Sequence, residues 1–182
     1  DTITVGSKLG PKLEARGILF GAAPKTIDND VGTNPSPSSP IDWQTMNNYF
    51  DPGFASAAHF VAQNTGNLWT TTYSHNRVTV VEAMGRHSGY LALAGGLANP
   101  DILLLPEHPV NLERLAELTA QRFADKGDVL IVVSEGIRTP DGKLIAETGI
   151  VDQFGHTKLG GAAELVAGYL HAELKEKNGL GK

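Results

Sequence analysis

Val78-Thr79-Val80-Val81-Glu82-Ala83-Met84-Gly85-Arg86-His87-Ser88-Gly89 sets a short β-branched run directly against a polar, glycine-bearing turn. Such a run, bounded by turn residues, reads as a buried strand. The same arrangement recurs along the chain. Residues 128–133 run into Ser134-Glu135-Gly136, and residues 101–105 into Pro106-Glu107. Gly17-Ile18-Leu19-Phe20-Gly21-Ala22-Ala23, read as a further short strand, runs into Pro24-Lys25-Thr26-Ile27-Asp28-Asn29-Asp30. Between these runs lie helical stretches at 55–69, 87–97 and 112–124, and a closing helix at 159–177. In the third, Leu112, Leu115, Leu118 and Phe123 fall on roughly one side. A first helix over 2–13 is expected to be interrupted at Gly10-Pro11, and Lys143-Leu144-Ile145 reads as a small hairpin edge. Residues 32–53 carry Gly32, Pro35, Pro37, Pro40, Pro52 and Gly53 among Ser and Asn, the composition of an exposed loop-like insertion. There is no internal repeat. Strands alternating with helices predict an α/β fold, three layers with a parallel sheet covered by helices.

The 182 residues, 41% of them hydrophobic, suffice for one substantial core or a large domain with an appendage. A net charge of −5 and the lack of any basic run argue against a general nucleic-acid binder. No cysteine is present, so disulfides and thiolate metal sites are excluded. No apolar stretch approaches membrane-span length and no signal peptide opens the chain, so the expected setting is cytoplasmic, with no membrane partner.

Residues 24–30 gather two carboxylates, an amide, a hydroxyl and an ammonium, which no core requires. Read at the carboxyl end of a strand, they lie where open α/β sheets bind ligands. Carboxylates two residues apart repel each other unless a cation or proton intervenes. A metal-bound phosphate would give one Asp a magnesium role and leave the other to accept a proton, while Lys25 suits a phosphate oxygen. The segment reads as a phosphoryl-transfer centre. After residues 78–83, glycines permit close backbone approach, helix-opening amides can take an anion, and Arg86 can bind a phosphate. Ser74-His75-Asn76-Arg77 offers a second guanidinium, and Glu135 a carboxylate for sugar hydroxyls.

Plainer readings stand beside these. Asp28 and Asp30 could serve turns and caps, Arg86 and Arg77 could be surface cations, and Glu135-Gly136 a strand ending. His75, His87 and His156 lack metal-ligand spacing and read as structural, or as residues that support a ligand-contacting side chain. Gly160-Gly161 reads as close packing at a helix start, and Trp43 and Trp69 as packing residues.

Residues 24–30 resemble the catalytic signature of the 6-phosphofructokinases, and Val81-Glu82-Ala83-Met84-Gly85-Arg86-His87-Ser88-Gly89-Tyr90 resembles that family's sugar-phosphate motif. Ser74-His75-Asn76-Arg77, Ile102-Leu103-Leu104-Leu105-Pro106-Glu107 and Ile131-Val132-Val133-Ser134-Glu135-Gly136 follow in the family's order. Asp152-Gln153-Phe154-Gly155-His156 with Leu159-Gly160-Gly161 resembles the pyrophosphate-using or mixed-donor branch. The resemblance covers nearly the whole chain except the insertion near 33–50, and implies a phosphofructokinase-like, Rossmann-like fold.

By position, the resemblance makes Asp28 the general base for the 1-hydroxyl of fructose 6-phosphate and Asp30 the carboxylate supporting a magnesium–phosphate assembly. Thr26 would contact the transferring phosphoryl group or the sugar. Met84, Gly85 and Arg86 would line the sugar-phosphate site, with Arg86 facing transition-state charge, and Glu135 would hold a sugar hydroxyl. Arg77 resembles the arginine that reaches a neighbouring subunit's sugar phosphate, implying a homodimer or homotetramer. The resemblance assigns 1–31 to the end of a phosphoryl-donor domain, 32–53 to the insertion, and 54–182 to an incomplete fructose 6-phosphate-binding domain.

ATP users of the family carry glycine at the position of Lys25, and a Gly-Gly-Asp-Gly-Ser/Thr loop where pyrophosphate users resemble Gly-Gly-Asp-Asp-Thr. Asp1-Thr2 matches the end of the second form. Asp1 would repel a nucleotide α-phosphate, and Lys25 would hold pyrophosphate. Asp1 is also a weaker candidate metal ligand, should the match shift by one. The glycine-rich loop is expected just before Asp1 and a Gln-Arg-Gly-Gly-type segment after Lys182, so the chain reads as an internal piece of a longer enzyme. The expected reaction is magnesium-dependent, reversible phosphoryl transfer from pyrophosphate to fructose 6-phosphate. The alternatives are ATP as donor, or a non-catalytic sugar-phosphate-binding regulatory subunit.

Overall fold

The computed structural model describes residues 2–21, 23, 25–31, 50–151, 157–159 and 161–178. Its centre is a parallel sheet of three strands, β1 (Val78–Ala83), β2 (Ile102–Leu104) and β3 (Val129–Ser134), in the order β1-β3-β2. Helices α1 (Thr2–Glu14), α2 (Phe54–Ser74), α3 (Tyr90–Gly95), α4 (Leu112–Lys126) and α5 (Ala162–Asn178) account for most of the remainder. β3 is apolar at five successive positions because both its faces are covered. Val129, Ile131 and Val133 pack with Leu115 and Ala116 of α4 and with Ala162, Val166 and Leu170 of α5. Val132 faces the other way, with Leu91 and Ala92 of α3, and Ala57 and Val61 of α2. Residues 129–133 are each 0% exposed. At about 1.5–3 kcal/mol per buried aliphatic side chain, this strand anchors the three layers. The expected α/β architecture is thus present.

Local chemistry sets most boundaries. Asn111 caps α4 by accepting the Arg114 N–H at 2.9 Å, and Gly127, at φ 80°, ends it. β2 is one residue shorter at each end than the expected 101–105, although Asp101 still donates its N–H to the Leu130 carbonyl at 2.8 Å and its carboxylate accepts the Leu130 N–H at 2.9 Å. Lys126 meets that carboxylate at 2.7 Å and lies 4.4 Å from the Trp69 ring centroid. Trp69 donates its indole N–H to the Ala98 carbonyl at 2.7 Å, a packing role as expected.

Several expectations are corrected. Residues 17–21 and 23 form no strand: Leu19 is 99% exposed, and no strand lies beside this segment among the described residues. Ile18 instead donates its N–H to Leu13, closing off α1. A short apolar run does not by itself supply the ladder partner that a strand needs. α1 is not interrupted at Gly10-Pro11. Pro11 costs one amide donor, but its carbonyl still accepts the Ala15 N–H at 3.1 Å. α2 runs to Ser74, five residues past its expected end at Trp69. α3 starts at Tyr90 rather than His87, because residues 84–89 form a turn, and a 3-10 turn at Gly96–Ala98 follows it. By contrast, the small hairpin edge expected at Lys143-Leu144-Ile145 is present: Leu144 bridges Arg138 antiparallel, and the Thr139 N–H to Lys143 and Ile145 N–H to Ile137 bonds, at 2.9 and 3.1 Å, flank the bridge. An antiparallel pair, β4 (Glu147–Val151) and β5 (Thr157–Leu159), was not anticipated, and it moves the start of the closing helix to Ala162. Asp1, Pro24, Trp43, His156, Gly160 and residues 32–49 and 152–156 lie outside the described residues.

Candidate active site

β1 and β3 run parallel in register, so Ala83 faces Ser134 and the turns beyond them must meet. The Glu135 N–H donates to the Ala83 carbonyl at 3.0 Å, prolonging the ladder by one bond. The Gly85 N–H then donates to Glu135 Oε1 at 3.2 Å, and Ser134 Oγ donates to the Gly85 carbonyl at 2.6 Å. The turn is tight enough to demand glycine twice. Gly85 has φ 126°, and a Cβ there would lie 2.3 Å from the Ser88 carbonyl oxygen. A Cβ on Gly136 would lie 2.1 Å from the Arg86 carbonyl oxygen. Arg86 therefore projects from a backbone pinned on both sides.

Residues 25–31 reach the same place. Ser88, 3% exposed, donates its hydroxyl to the Asp28 carbonyl at 2.6 Å, joining segments 60 residues apart. Thr26 Oγ1 accepts the Asp28 N–H at 3.2 Å, and Thr26 pairs with Gly53 in an isolated parallel bridge. Asn29, between the two carboxylates, adopts φ 58°. Its Oδ1 accepts the Asp51 N–H at 2.8 Å, and Asp51 Oδ2 accepts the Val31 N–H at 2.9 Å.

Asp28 has an electrostatic setting of its own. Burial raises its pKa above the ordinary carboxylate value, the negative charges of Asp30 and Glu135 raise it further, and His87 and Arg86 oppose them. Asp28 Oδ1 is buried with no hydrogen-bond partner among the described residues. A buried carboxylate oxygen without a partner is costly, and is found where a ligand supplies the missing group.

Thr26, Asp28, Asp30, Gly85, Arg86 and Glu135 thus gather beyond the carboxyl ends of β1 and β3. Met84, 57% exposed, and Lys25, whose Cε packs against Gly53, stand at the rim. Arg77 is not among them. It precedes β1, at the far end of a six-residue strand, roughly 20 Å away at ~3.3 Å per residue. There it lines a cavity of about 410 Å³ with His75, Asn76, His171 and Lys175. At the opening of α3, where helix-opening amides were expected to take an anion, the Gly89 N–H is already taken by Glu107 Oε1 at 2.7 Å. Arg86, four residues before Tyr90, does not open that helix. Among the described residues no three His, Cys, Asp or Glu side chains cluster as metal ligands. Sequence reasoning passed over Ser88, Ser134 and Gly136, although all three lie inside quoted motifs, and over Asn29 and Asp51 as structural partners.

The phosphofructokinase family model matches residues 6–179. The chain belongs to the phosphofructokinase family. It is 36% identical over 180 residues to a pyrophosphate–fructose 6-phosphate 1-phosphotransferase of Amycolatopsis methanolica, covering 98% of this chain and 46% of that one. It is also 36% identical over 174 residues to an ATP-dependent 6-phosphofructokinase of Corynebacterium efficiens, covering 93% and 46%. Among solved structures, a pyrophosphate-dependent phosphofructokinase from Nitrosospira multiformis superposes with a TM-score of 0.64 at 29% identity, covering 96% of this chain and 39% of that one. The chain spans about half the length of the curated relatives it matches. No described helix is long and apolar enough to cross a membrane.

Proposed function

We propose that this phosphofructokinase catalyses reversible phosphoryl transfer from pyrophosphate to the 1-hydroxyl of fructose 6-phosphate, giving fructose 1,6-bisphosphate. The observation that carries the reading is Asp28: a carboxylate oxygen buried without a partner, its pKa raised, at the junction of the two turns. A carboxylate with a raised pKa is a better base for a hydroxyl proton. Asp28 takes the proton of the 1-hydroxyl as that oxygen bonds to the transferring phosphorus. The bridging P–O bond of pyrophosphate breaks, and inorganic phosphate leaves with its electron pair. Lys25 and Arg86 counter the charge on the transferring group, Thr26 contacts it, and Glu135 with Met84 and Gly85 orients the sugar. Such chemistry is mostly positioning and charge stabilisation.

Magnesium fits the donor set in a limited way. Mg²⁺ keeps several waters and binds through one or two carboxylates plus substrate phosphates, so Asp30, with Asp1 as a weaker partner, suffices without the three-residue cluster that is absent among the described residues. When bound, the ion would neutralise phosphate charge. Arg77's distance from this chain's own turns supports a role in a neighbouring subunit's site, within a homodimer or homotetramer. The division into a donor-domain end at 1–31 and a sugar-phosphate domain at 54–182, and a cytoplasmic setting, belong to the same reading. Relatives named for either donor match at 36% identity, so ATP is the specific alternative.

Asp28→Asn keeps shape and removes basicity. In the full-length enzyme, turnover is expected to fall by about 10²–10⁴-fold, the usual size of a general-base contribution, with the KM for fructose 6-phosphate little changed. Near-normal turnover would remove Asp28 from the mechanism.

A further inference from the structure

Asp51 is a carboxylate that this reaction does not use, yet it is 2% exposed. It lies in the limb of chain that returns to α2 after segment 32–49. Two of its hydrogen bonds run in opposite directions towards the same turn: its own N–H donates to Asn29 Oδ1, and its Oδ2 accepts from Val31. A reciprocal pair of this kind fixes both the separation and the twist of residues 29–31 against residue 51. Asn29 holds a left-handed backbone, φ 58°, which Asn tolerates better than other side-chain-bearing residues and which its bond with Asp51 helps to fix. The dihedrals of Asn29 set the turn between residues 28 and 30. Whatever holds Asn29 therefore holds the relative directions of the Asp28 and Asp30 carboxylates. The limb is itself anchored. Gly53 bridges Thr26 at the other end of the loop, and Phe50 stacks on Phe54 of α2 with centroids 6.1 Å apart and planes at 7°.

We propose that Asp51 is a positioning residue: through Asn29 and Val31 it aims Asp28 and Asp30, contributing to turnover rather than to substrate binding. The kinetic half rests on the phosphoryl-transfer reading, whereas the mechanical half stands on the hydrogen bonds alone. The bond to Val31 calls for an acceptor oxygen rather than a charge, so an amide at position 51 should substitute for the carboxylate in it.

The test uses the full-length protein with Asp51→Ala, Asp51→Asn and Asn29→Gly. The last keeps the left-handed backbone and deletes the acceptor for Asp51. Asp51→Ala is expected to lower kcat by about 10²-fold, the scale of an ångström-sized misplacement at a reacting centre, with both KM values little moved. Asp51→Asn should recover most of that loss. Asn29→Gly should lower kcat similarly, and adding Asp51→Ala to it should cost little more, as expected for one coupled unit. Backbone amides of residues 26–31 should exchange hydrogen faster in Asp51→Ala and Asn29→Gly, but not in Asp51→Asn. Should Asp51→Ala fail to fold, the other two variants carry the same contrast. An unchanged kcat in Asn29→Gly, a loss lying wholly in KM, or an Asp51→Asn as damaged as the alanine overturns the proposal. An unmodified enzyme inactive with pyrophosphate and with ATP overturns the phosphoryl-transfer reading and the kinetic half with it. Exchange unchanged in Asn29→Gly overturns the mechanical half independently.

Discussion

A carboxyl group drawn partly out of water beside two others of its own sign is a poor place for negative charge. Asp28 sits in that position, and its raised pKa carries a stability consequence separate from catalysis. In the unfolded chain the group ionises near 3.8; in the fold it holds its proton to higher pH. Below the unfolded value both states are protonated and nothing is lost. As pH rises through the folded value, the native state must carry a charge it resists, and stability falls. Asn at position 28 never ionises. Asp28→Asn should therefore melt higher than the unmodified protein at neutral pH without divalent cations, with the difference shrinking as the solution is acidified. Thermal melts across pH check this; a variant less stable at neutral pH would show that Asp28 is held by favourable contacts instead. The gain opposes the expected loss of turnover, as is usual where a site keeps a costly group for function.

At the scale of elements, the site depends on how closely the turns after β1 and β3 approach. Gly136 tests this, since a Cβ there would meet backbone atoms of Arg86 that cannot swing aside. Gly136→Ala should cost about 1–3 kcal/mol as overpacking, whereas Gly168→Ala, on α5 with nothing within 4 Å, should gain about 0.5–1 kcal/mol from helix propensity. Denaturant titration of both variants measures the contrast, and equal effects would contradict the tight-turn account. The same elements show what the sequence made legible. β3 was readable because burial on both faces leaves a continuous apolar run, and β1 because its four β-branched residues suit a strand even though it is only half-buried, with Glu82 exposed. Residues 17–23 offered a similar run, but a strand also needs a neighbour, and composition does not encode one. β4 and β5 escaped notice because Glu147-Thr148-Gly149-Ile150-Val151 and Thr157-Lys158-Leu159 show no alternation. Of the site, Asp28, Arg86 and Glu135 were legible because their chemistry lies within short local motifs. The bonds of Ser88 to Asp28 and of Asp51 to Asn29 span 60 and 22 residues, and only folding brings them together.

For the whole molecule, the outstanding choice is the phosphoryl donor. On the proposed reading, a nucleotide would place its α-phosphate near Asp1, whose negative charge would repel it. Pyrophosphate carries no nucleoside and would gain Lys25 as a point-charge partner. Preference then arises from rejecting one donor as well as holding the other. Changing Asp1→Gly and Lys25→Gly together should shift the ratio towards ATP while lowering pyrophosphate turnover. The most direct measurement is the rate at which the unmodified full-length enzyme forms fructose 1,6-bisphosphate from fructose 6-phosphate, with pyrophosphate and ATP supplied in parallel. A kcat/KM far higher with pyrophosphate is the expected result; ATP used equally well, or no product with either donor, would contradict the account.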